Sequence, residues 1–76
     1  MARKPQHEIR RGLIVVRVWH KRSRSGSPFS LTVVRLYRNG DQWKESSRLG
    51  RDDIPLARLA LDEAHRWILE WEARAT

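Results

Sequence analysis

Arg17, Trp19 and Lys21 occupy alternate positions in one β-branched run, and Arg35 and Tyr37 do the same in another. Trp43 and Lys44 follow shortly after an Asn-Gly pair. Residues two apart on an extended strand project from the same side, so each run sets cations beside flat rings. Such a surface is suited to binding. Rings stack on bases or on a partner's apolar groups, while guanidinium and ammonium groups meet phosphates or carboxylates. Bond-breaking chemistry has no comparable grouping. His7, His20 and His65 lack metal-ligand spacing, and His65 has no second histidine four residues away. There is no cysteine, hence no thiolate ligand and no disulfide. Asp62 and Glu63 are adjacent on a helix and point apart, so they form no carboxylate dyad. The serines have no activating partner in view, and no glycine-rich phosphate loop exists. The chain reads as a non-enzyme, with no catalytic residue, metal or cofactor.

The elements that must position these side chains are legible. β-branched density predicts strands over about residues 13–21 and 29–38, separated by a Gly/Ser/Pro loop. Asn39-Gly40 predicts a type I′ hairpin turn, with a third, more polar strand over about 42–49. Asp52 or Asp53 can cap a helix, with Pro55 in its first turn. Leu56, Leu59, Ala60, Ala64, Trp67, Ile68 and Trp71 then recur at helical spacing over about 20 residues. The expected class is α+β: a three-stranded antiparallel meander followed by one long C-terminal helix packed on one face. A fourth strand would have to come from residues 5–11, with Ile9 its only aliphatic anchor. Residues 1–11 read as a flexible basic arm and 12–76 as a single β-β-β-α domain.

Strand alternation suggests which face the helix takes. Ile14, Val16 and Val18 share one side of the first strand; Val15, Arg17, Trp19 and Lys21 share the other. In the second strand, Val34 and Leu36 look like partners of the aliphatic side. That would leave Arg35 and Tyr37 on the open face with Arg17 and Trp19, joined by Trp43 or Lys44 according to register.

Net charge is +7 and unevenly spread. Residues 1–27 hold eight Lys/Arg against one acid, whereas residues 52–76 hold three against six. A positive field over the sheet-forming part favours polyanions. The N-terminus has no apolar segment of a secretory signal and no run approaches a membrane span, so the expected location is cytoplasmic, in bacterial cytosol or nucleoid.

The run RLYRNGDQWKESSRLGRDDIPL with AHRWI resembles a family of small, uncharacterised bacterial proteins sharing an arginine–aromatic strand, an N/D-G-D turn, W-K and G-R-D-D before a helix. That likeness covers about residues 9–69 and implies no particular activity. A second likeness, in topology, is to the single-stranded-DNA-binding domain of positive transcription coactivators and the plant Whirly proteins, where a curved antiparallel sheet precedes a C-terminal helix. It implies single-strand binding and, from the coactivators, a dimer. The coactivator's lysine–glycine run in its last strand has no counterpart here.

The resulting expectation is a module that binds single-stranded DNA or RNA without strong sequence preference. Trp19, Tyr37 and Trp43 would stack bases, and Arg17, Lys21, Arg22, Arg24, Arg35 and Lys44 would meet phosphates. Duplex DNA is a further candidate, although the one good helix is acidic. The alternative is a protein-interaction or assembly module with no nucleic-acid role. A chain this small gains from association; Trp67 and Trp71 read first as core, and are otherwise the candidate homodimer contacts.

Overall fold

The computed structural model describes residues 4–21 and 28–75. Four strands, β1 (His7–Arg11), β2 (Ile14–His20), β3 (Phe29–Asn39) and β4 (Gln42–Ser46), form an antiparallel sheet in the order β1-β2-β3-β4. A short 3₁₀ turn (Arg51–Asp53) leads into the 22-residue helix α1 (Ile54–Ala75). The α+β class and the terminal helix are as the sequence suggests. Part of the expected basic arm is instead strand: β1 hydrogen-bonds along β2, and Ile9 lies opposite Val16 in the core. A single aliphatic residue suffices because it docks on a strand whose own residues are fully buried.

Both tight turns use glycine to reach positive φ. Gly12 (φ 59°) joins β1 to β2, and Gly40 (φ 64°) joins β3 to β4. Asn39 is the last residue of β3, and among the described residues none besides glycine has positive φ. The β3–β4 turn is therefore centred on Gly40-Asp41 with the type II′ pattern, not on Asn39-Gly40 with type I′. A Cβ at Gly40 would meet no atom within 4 Å, whereas one at Gly12 would sit 3.2 Å from Leu56 Cδ1. Gly40→Ala is thus expected to cost only the backbone penalty, about 1–2 kcal/mol. Gly12→Ala should cost more in the same urea titration, and equal losses would show that the Leu56 contact is irrelevant.

The core is thin. Ile9, Ile14, Val16 and Val18 from the sheet meet Ala57, Ala60 and Ala64 from the helix, with Phe29, Val33, Trp67 and Ile68 packed around them. The alanines let the helix lie close on β1 and β2. Leu56 and Leu59, expected in that face, are instead exposed on its flank, and Ala57 takes the inward position. Asp53 starts the helical segment by accepting the Gly50 N–H through Oδ2 at 2.7 Å, while Asp52 is exposed. The N-cap position is Gly50, and Asp53 stands at N3, acting only by reaching back to the Gly50 N–H.

Candidate nucleic-acid interface

Register fixes which side chains share the open face. Ile14 pairs with Arg35, Val16 with Val33 and Val18 with Leu31, and Tyr37 pairs with Lys44. Since directly paired residues lie on one face, Arg35, Tyr37 and Lys44 stand on the helix side of the sheet. The open face carries Glu8 and Arg10 from β1, then Val15, Arg17 and Trp19 from β2. It continues through Thr32, Val34, Leu36 and Arg38 of β3 to Trp43 and Glu45 of β4.

This corrects the sequence expectation for β3, whose parity is inverted. The physical reason lies at the start of the strand. Phe29 meets Trp67 edge-on at 5.9 Å and Trp71 at 5.0 Å, which pulls residues 29, 31 and 33 toward the helix. Further along, β3 runs past the helix-covered strands, so Val34 and Leu36 can pack beside Val15 on the opposite face. Val15 is almost fully buried there. The clean alternation of FSLTV was the signal that would have revealed the parity, and it implicates Arg38, which sequence reasoning passed over.

On the open face, Arg38 and Trp43 are cross-strand partners, and Trp43 is the most exposed large hydrophobic side chain among those described, at 58%. Arg38 holds its own turn through Nε to the Gly40 carbonyl at 3.0 Å. Trp19 is half-buried and donates its indole N–H to Thr32 Oγ1 at 2.9 Å, which fixes the ring against the sheet. Lys21 follows the same alternation one step beyond β2 and is exposed, while Arg22 and Arg24 lie outside the described residues.

Arg17 is already engaged. Its guanidinium donates to Glu8 Oε2 at 3.1 Å and to both carboxylate oxygens of Glu45, at 3.1 and 2.5 Å. These hydrogen bonds, those to Glu45 foremost, raise its pKa further, while the same contact lowers that of Glu45 below the ordinary carboxylate range. A carboxylate depressed in the fold stabilises it above its unfolded pKa and loses that contribution as pH falls through the lowered value. The clasp therefore stays intact at neutral pH.

On the helix side, Arg35 pairs with Asp53 at 3.4 Å, tying β3 to the helix start. Tyr37 is half-buried and Lys44 exposed. Trp67 and Trp71, read as core with a homodimer seam as the alternative, are half-buried in an aromatic cluster of the same chain. His7 stacks on Trp67 at 4.8 Å and 5°, and His20 lies 5.6 Å from Trp71. Two of the three histidines thus serve as aromatic packing partners.

Comparison with protein-family models, with curated proteins and with solved structures returns no match. Function rests on the surface of the chain itself. Among the described residues no helix is long and apolar enough to cross a membrane.

Proposed function

We propose that the open sheet face binds single-stranded nucleic acid, with Trp43 and Trp19 as stacking platforms and Arg38, Arg10 and Lys21 as phosphate contacts. The observation that carries this reading is the exposed Trp43 ring beside Arg38 on a face that the helix leaves uncovered. A solvated indole of that size costs a soluble protein apolar exposure, and a base offers it a π-face of matching area. Tyr37, Arg35 and Lys44 play no part, being on the other side.

Binding of this kind is salt-dependent because each neutralised phosphate releases counterions. Three cations on single strands give a slope of log K against log salt of about −2. Arg17 is a reserve cation held by Glu8 and Glu45. Glu45→Gln weakens that clasp, so the variant is expected to bind more tightly at low salt, with the slope steeper by about 0.7. Unchanged slope and affinity would mean that Arg17 only staples the sheet. The reading as a whole is tested by titrating the protein with a single-stranded oligonucleotide. Failure of binding at low salt would favour the protein-interaction alternative.

A further inference from the structure

Among the described residues the sheet ends in two margins, β1 and β4. We propose that β1 pairs antiparallel with β1 of a second copy of this chain, in the register centred on Ile9, to make one continuous eight-stranded sheet. This goes beyond the nucleic-acid reading and does not depend on it.

The backbone orientation comes first. A two-residue turn makes Arg11 and Ile14 a hydrogen-bonded pair, so Arg11, Ile9 and His7 aim their N–H and C=O groups at β2. Glu8 and Arg10 therefore aim theirs outward. The Arg10 carbonyl accepts a hydrogen bond from the Arg11 side chain at 2.9 Å, as an outward carbonyl without a neighbouring strand would. Such an edge is a ready template for another strand.

Charge then selects both the partner and the register. A twofold axis normal to the sheet keeps each copy's helix on the same side, so the pairing must centre on a residue. Centred on Glu8, it would set Glu8 against itself; centred on Arg10, it would set Arg10 against itself. Centred on Ile9, it sets Glu8 of each copy opposite Arg10 of the other, twice, on the open face. Directly opposed unlike charges stabilise a sheet and like charges destabilise it. β4 offers no such solution: its registers oppose Lys44 to Lys44, Glu45 to Glu45, or Asp41 to Glu45.

The helix side is also prepared. Beside β1 runs a groove of about 480 Å³ whose opposite wall includes Glu63, Arg66, Trp67 and Glu70 of the helix. Glu63 pairs with Arg11 through one carboxylate oxygen, while the other, Oε2, is buried without a hydrogen-bond donor. The Ile9 register brings His7 of the second copy opposite Arg11, at this same place. The seam therefore lies along β1 and this helix flank, which includes Trp67 but not Trp71. It would also join two open faces into one.

The test is the mass of the protein in solution without nucleic acid, by sedimentation across a hundredfold range of concentration. Wild type should reach dimer mass. Arg10→Glu, which opposes two carboxylates, should weaken association at least tenfold, and Glu8→Arg combined with Arg10→Glu should restore it. A wild type that stays monomeric, or a dimer indifferent to Arg10→Glu, overturns the proposal. Because Glu8 also touches Arg17, a double variant that fails to fold is replaced by amide exchange in the wild type. The amides of Glu8 and Arg10 should become protected as concentration rises, and exchange independent of concentration overturns the proposal equally.

Discussion

Replacing Trp19 and Trp43 together by alanine is expected to lower affinity for a single-stranded oligonucleotide by roughly 30-fold or more. Each stacked base is worth about 1–3 kcal/mol, and 1.4 kcal/mol is a factor of ten. The loss should come mainly from Trp43, whose ring is the more exposed, and the helical circular dichroism should survive because neither residue belongs to the core cluster. Tyr37→Ala is the matching control. Tyr37 faces the helix side, so its removal should leave affinity within about twofold, since a residue that touches no ligand changes binding little. Fluorescence anisotropy of a labelled strand measures all three proteins. Loss of binding in Tyr37→Ala with retention in the double variant would place the interface on the wrong side of the sheet.

Ile14→Ala should be the most damaging of the conservative core changes. Ile14 is fully buried where β1, β2 and β3 meet beneath the helix, and truncating such a residue costs about 2–5 kcal/mol. A domain of 76 residues has a total stability of roughly 4–11 kcal/mol, so the variant loses a large part of it. Leu59→Ala removes as many side-chain carbons from an exposed position and should shift the urea midpoint only slightly. Equal shifts for the two would mean that the helix packs on the sheet through a different face.

That contrast shows where the sequence was readable. The two central strands and the helix follow from local chemistry, because β-branched runs and helical spacing of apolar residues act within a few residues. The rest depended on longer-range packing: β1, with Ile9 its one aliphatic residue, forms against the buried β2. The helix face was blurred because leucines and alanines both recur at helical spacing, and only contact with β1 and β2 selects the alanines. The parity of β3 was ambiguous because Val33 and Val34 are adjacent, so apolar residues alternate one way before them and the other way after. Phe29 resolved it by packing on Trp67 and Trp71, and that single contact moved Arg35 and Tyr37 off the open face and put Arg38 on it. The Arg17 clasp was equally invisible, since Glu8 and Glu45 lie 9 and 28 residues from it in sequence.

Stacking of single-stranded bases on the uncovered sheet face is read by intrinsic tryptophan fluorescence. The protein would be titrated with a single-stranded 20-mer and with its duplex, each at low and high salt. The single strand should quench the fluorescence with a slope near −2 in log salt, the duplex should quench little, and the Trp19→Ala, Trp43→Ala double variant should lose the signal. No quenching by single strands at low salt, or equal quenching by the duplex, would contradict stacking on this face.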